Sequence, residues 1–79
     1  MIKHINHPKY DRLVAWLKRA REKQGLTVRE CGTLLGESHQ FVNKVETSQR
    51  RLNVFEFVQY CEALGLDPID GIKLLTESK

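Results

Sequence analysis

The stretch Thr27-Val-Arg-Glu-Cys-Gly-Thr-Leu-Leu-Gly-Glu-Ser-His-Gln-Phe-Val-Asn-Lys-Val-Glu46 decides the fold. It divides into two short helices joined by a tight turn. Thr27-Val-Arg-Glu30 fits a capping box, in which the Thr side chain accepts from a backbone N–H and the Glu three residues on reaches back. Leu34 and Leu35 close the first helix, and Gly36 supplies the turn, because glycine takes positive φ without a Cβ penalty. Ser38 caps the second helix. Phe41, Val42 and Val45 are spaced to pack inward. That leaves His39, Gln40, Asn43 and Lys44 facing out, each able to donate or accept hydrogen bonds.

Outward from this pair the same logic predicts three more helices and no strand, because no segment alternates with period two over a useful length. Pro8 or Lys9 to Lys23 reads as the first helix: Pro8 suits a first helical position and Gly25 lies just past the end. Tyr10, Leu13, Val14, Leu17 and Ala20 form its apolar stripe. The helices of the central stretch cover roughly Val28–Leu35 and His39–Thr47. Asn53-Val-Phe-Glu56 has the form of a second capping box, with Leu52 and Phe57 placed for a hydrophobic staple. The helix it opens is expected to bury Val54, Phe57, Val58, Cys61 and Leu64 and to stop at Gly65. Asp67-Pro68 opens the last helix, with Ile69, Ile72, Leu74 and Leu75 as its apolar positions. The expectation is an all-α, compact five-helix bundle in one domain over residues 1–79, with 1–7 as a flexible arm and 77–79 as a frayed tail.

Composition narrows the function. At 79 residues, 41% apolar and 29% charged, the chain has one small core and a globular balance. It holds no apolar run near the ~20 residues that a membrane helix needs, and Met1–Pro8 has no apolar segment typical of a signal peptide. Cys31 and Cys61 sit at apolar helix positions and read as reduced core thiols of a cytoplasmic protein. Charge is unevenly placed: residues 1–52 carry net +6 and residues 53–79 net −3, giving +3 in all. A basic front and an acidic back suit one face turned to a polyanion. His4 and His7 lack a third ligand nearby, so no metal site is expected. No nucleophile–base pair, phosphate-binding glycine loop or ligand cluster is present, which argues against an enzyme and against a cofactor.

Leu17 to Leu74 resembles the phage lambda repressor/Cro-type, or XRE-like, helix-turn-helix family. Five landmarks fall in order: Leu17-Lys-Arg-Ala-Arg21, Gly25-Leu-Thr27, the turn Gly36-Glu-Ser38, the set Val42, Val45 and Glu46, and Ala63-Leu-Gly65. Three departures stand out. Cys31-Gly32 replaces the usual Leu-Ala, Ser48 stands where Gly is usual, and Val28 occupies a position that often touches phosphate.

The resemblance implies a sequence-specific regulator of transcription binding double-stranded DNA, most simply a repressor on a palindromic operator. It aligns His39, Gln40 and Lys44 with the family's base-reading positions, with Asn43 beside them. The chemistry agrees: Gln40 can bond adenine N6 and N7 together, and Lys44 can donate to guanine O6 or N7. Arg50 and Arg51, in the loop after the second helix of the pair, are expected at the DNA backbone, with Thr27, Arg29 and Asn53 as further phosphate candidates. For Thr27 and Asn53, capping alone is the competing reading. The resemblance also implies a buried ion pair between Arg21 and Glu46. Ile69, Ile72 and Leu75 offer more apolar width than one core face needs, which suggests a homodimer contact. The alternative is an antitoxin-like interaction module whose main partner is another protein.

Overall fold

The computed structural model describes residues 7–76. The arm assigned to residues 1–7 and the tail at 77–79 therefore lie outside the described residues, apart from His7. Five helices are present among the described residues and no strand: α1 Pro8–Lys23, α2 Val28–Leu35, α3 His39–Glu46, α4 Val54–Leu64 and α5 Pro68–Thr76. The bundle is all-α, as the sequence implied. No helix among the described residues is long and apolar enough to cross a membrane, and no group of three or more His, Cys, Asp or Glu could hold a metal ion.

Helix boundaries follow from caps. His7 is the N-cap of α1, its Nδ1 accepting from the Lys9 N–H at 3.2 Å. Thr27 and Asn53 each close a full capping box, with Glu30 and Glu56 as the returning carboxylates. Each box satisfies two backbone donors that have no partner inside the helix. Ser38 accepts from the Phe41 N–H and starts α3. At the other end of α2, Gly36 adopts φ +71°, its N–H bonding Thr33 and the Glu37 N–H bonding Gly32. This is the left-handed, doubly bonded stop that aims the chain into α3.

Gly32 is required for a different reason. A Cβ there would lie 2.9 Å from the Glu37 carbonyl oxygen and 3.0 Å from that of Ser38. Both are backbone atoms of the turn, so a side chain at position 32 would push the α2–α3 connection outward. The helix-propensity cost of glycine, about 1 kcal/mol, is the condition for holding α2 and α3 close.

The core gathers Leu13 and Leu17 of α1, Cys31 of α2, Val42 and Val45 of α3, and Phe57, Tyr60, Cys61 and Leu64 of α4. Two sequence expectations are corrected here. Val54 is 80% exposed, and Val58 is only half-buried. Tyr60, which the apolar pattern passed over, is fully buried. At 100° per residue, Phe57, Tyr60, Cys61 and Leu64 share one narrow arc, and Val54 and Val58 fall on its edge. The Tyr60 hydroxyl faces the Cys31 thiol, a weak partner, and finds no other. Burial drives its phenol far above the ordinary range and pushes the Cys61 thiol up to about 11. Both cysteines are free and buried, so they pack as small apolar groups.

Candidate nucleic-acid interface

Arg21 is a buried charge, 8% exposed, and each of its three side-chain nitrogens donates a hydrogen bond. Nε and Nη2 bond the two carboxylate oxygens of Glu46 at 2.5 and 3.0 Å, and Nη1 donates to the Leu26 carbonyl at 2.7 Å. This fork-to-fork pairing joins α1 to the end of α3 and holds the guanidinium firmly protonated. Glu46 is thereby occupied as a structural anion, not left as an acid on the surface.

With α3 fixed at its end by Glu46 and at its start by the turn, its outer face is set. His39, Gln40, Asn43 and Lys44 are all exposed on it, while Val42 and Val45 are buried beneath. Phe41 is half-buried, at the border between the two faces. A shallow cleft of about 330 Å³ runs along this side, lined by Glu37, Ser38, Gln40, Phe41, Lys44 and Arg50. The rim is thus rich in hydrogen-bonding groups, with Glu37 as its one carboxylate.

The α3–α4 loop flanks the cleft. Ser48 takes φ +61°, a left-handed backbone that a non-glycine residue rarely adopts. This is the position where the family usually has glycine, and the tight turn survives with Ser in it. Its hydroxyl donates to Asp11 of α1 at 3.3 Å. The Leu52 N–H donates to the Tyr10 hydroxyl, also at 3.3 Å. Tyr10 and Asp11 are loop supports that the sequence did not mark, because the partners lie some forty residues apart.

Arg51 is exposed, with its guanidinium over the Tyr10 ring at 5.5 Å from the centroid. Arg50 behaves differently: it is bonded to Glu56 through both nitrogens and stacked on Phe41. Thr27, Arg29 and Asn53 are exposed at the starts of α2 and α4, and Thr27 and Asn53 both serve as caps.

At the far end of the chain, Ile69 is 61% and Ile72 44% exposed, and Leu75 is half-buried. Val54 lines a pocket with Ile72 and Leu75 and is itself 80% exposed, and Phe55 is 69% exposed. Trp16 packs at the edge of the core.

A helix-turn-helix family pattern matches residues 17–70. The chain belongs to the Cro/C1-type, XRE-like helix-turn-helix family. Among solved structures it is similar to an XRE-family like protein from Pseudomonas syringae pv. tomato str. DC3000. The two share 36% identity over 90% of this chain and 88% of the other, with a TM-score of 0.80. The clp gene regulator ClgR from C. glutamicum has the same fold, with a TM-score of 0.77 at 19% identity over 94% of this chain and all of that one. A search of curated proteins found no match. The match over residues 17–70 contains α2, α3 and α4 whole, and both partners of the Arg21–Glu46 pair.

Proposed function

We propose that this helix-turn-helix protein is a non-enzymatic, sequence-specific transcription regulator that binds double-stranded DNA through α3. The observation that carries the reading is the face of α3: four hydrogen-bonding side chains stand exposed on a helix locked from beneath by a buried ion pair. Gln40 and Lys44 read base edges, and His39 and Asn43 stand beside them for bases or phosphates. Thr27, Arg29, Arg51 and Asn53 hold the backbone, aided by the N–H groups that open α2 and α4.

One such helix reads about half a site, so a dimer reads two half-sites about 34–36 Å apart. The uncovered Ile69 and Ile72, with Leu75, are the proposed two-fold contact. Such a dimer occludes a promoter, which makes repression the simplest mode of action, in the cytoplasm where the DNA is. Selection from random duplex DNA, followed by sequencing of the bound molecules, tests this directly. An inverted repeat with half-sites one helical turn apart is the expected product. A lone half-site would remove the dimer, and no enriched motif would remove sequence-specific binding.

Arg51 gives a second test. Its exposed guanidinium is placed to neutralise a phosphate, which carries no sequence information. Arg51→Ala should therefore weaken specific and random duplexes alike and flatten the slope of log K against log salt by about one. A loss confined to the selected sequence would show instead that Arg51 reads a base.

A further inference from the structure

Arg50 lies in the loop between α3 and α4, its side chain 41% exposed, and both of its Nη atoms are engaged within the protein. Nη1 donates to Glu56 Oε1 and to the Arg51 carbonyl, both at 2.9 Å, and Nη2 donates to Glu56 Oε2 at 2.8 Å. The guanidinium carbon stands 4.8 Å from the centre of the Phe41 ring. Glu56 in turn accepts from the Asn53 N–H at 3.0 Å. One continuous chain of contacts therefore runs from α3 through the loop into the first turn of α4.

We propose that Arg50 is a positioning residue: its fork, gripped by Glu56 and laid on Phe41, sets the 47–53 loop so that Arg51 and Asn53 meet the DNA backbone in register with α3. The proposal rests on the DNA-binding reading above and names a residue that tunes it without touching the nucleic acid.

Three features support it. The loop turns through a left-handed Ser48, a conformation the local chain does not favour, so it depends on ties to its neighbours. Two of these ties reach α1, through Asp11 and Tyr10, and the Arg50 fork is the tie to α4. Next, swinging the guanidinium away to a phosphate would forfeit two charge-assisted bonds and an aromatic stack. It would also strand the Glu56 carboxylate beside a polyanion. Finally, the fork holds Glu56 below the usual carboxylate range, so the pair is charged at neutral pH.

The test compares Arg50→Lys, Arg50→Gln, Glu56→Gln and the double variant Arg50→Gln/Glu56→Gln in the full chain. Affinity for the selected duplex is measured across salt concentrations, and amide hydrogen exchange is followed in the free protein. Gln at position 56 keeps an acceptor for the Asn53 N–H, so the α4 cap survives. A positioning role predicts that each single variant binds about tenfold more weakly, and that the double variant is no worse than either. The salt slope flattens by up to about one and by the same amount in every variant, Glu56→Gln included, because the Arg51 phosphate contact is weakened in each, and amides of residues 47–53 exchange faster in every variant. Lysine fails to rescue because it lacks the planar fork.

A phosphate-contacting Arg50 predicts the opposite pattern, which would overturn the proposal. Lysine would retain most affinity and Arg50→Gln would lose about 0.9 of slope. Glu56→Gln would then bind more tightly, since it frees Arg50 and removes a carboxylate facing DNA. If the parent protein binds no duplex, the DNA reading falls by itself. The positioning at DNA then falls with it, and exchange separates the two causes: unchanged rates at 47–53 would show that Arg50 does not order the loop, and faster rates that it orders the loop without a DNA role.

Discussion

Arg21→Ala should lower the free energy of unfolding by about 3–5 kcal/mol, because it leaves the Glu46 carboxylate buried without its partner. Total stability for a domain of this kind is about 5–15 kcal/mol. A loss of this size removes a large fraction of it and shifts the population visibly toward unfolded chain at 37 °C. Glu46→Gln acts in the same direction by stranding the guanidinium, although the amide can still accept one bond. The cost arises from the unpaired charge, not from any large net gain of the pair itself. Two ions taken out of water lose about as much hydration as their attraction returns. The double replacement Arg21→Met/Glu46→Leu should therefore recover most of the loss. Urea unfolding followed by circular dichroism measures all three variants. A single variant within 1 kcal/mol of the parent would mean that water reaches the pair and screens it. That would be hard to square with the 10% and 7% side-chain exposures of Arg21 and Glu46.

Much of the fold is legible in the sequence for a local reason. Most helix ends here are fixed by local chemistry: Thr27 with Glu30, Ser38, and Asn53 with Glu56 at the starts, and Gly36 and Gly65 at two of the stops. Such signals act within four residues and can be read directly from the chain. The α3 end came out one residue long in the sequence reading because Thr47, with its backbone bond to Asn43, is the cap and not the last helical residue.

What the chain did not reveal depends on distance in sequence. The apolar stripe of α4 was centred too far toward Val54 and Val58, and Tyr60 was passed over for its hydroxyl, because a pattern shows a face but not where its neighbours end. Gly71 is another instance. A Cβ there would meet the rings of Phe57 and Trp16 at 2.7 Å, so α5 lies close on α1 and α4, and a side chain at position 71 would have to displace those rings. The engagement of Arg50 with Glu56 and Phe41 was equally hidden, although Glu56 is only six residues on. Its capping role was evident, and nothing in the pattern says that one carboxylate does both tasks.

The outer face of α3 leads to the second large effect. Gln40→Ala and Lys44→Ala should each cost about 1–3 kcal/mol on the selected duplex and relax its preference at one base pair. That range corresponds to roughly 5- to 150-fold in Kd. The two residues are one turn apart on the same exposed side of α3, so under the proposed reading they should address neighbouring base pairs. Gln40 presents a donor and an acceptor together, which matches the N6 and N7 edge of adenine and no other base so well. Lys44 is a point charge that favours guanine O6 and N7 but also feels the phosphates. The two variants should differ on random duplex for that reason. Gln40→Ala leaves non-specific binding and its salt slope intact, and Lys44→Ala weakens both slightly. Neither side chain has a core role, so both variants should unfold like the parent. Competition binding against single-base variants of the selected site resolves the outcome. Equal losses on specific and random DNA in both variants would show that α3 lies along the backbone and not in the groove, and the assignment of base reading would then have to move to another element.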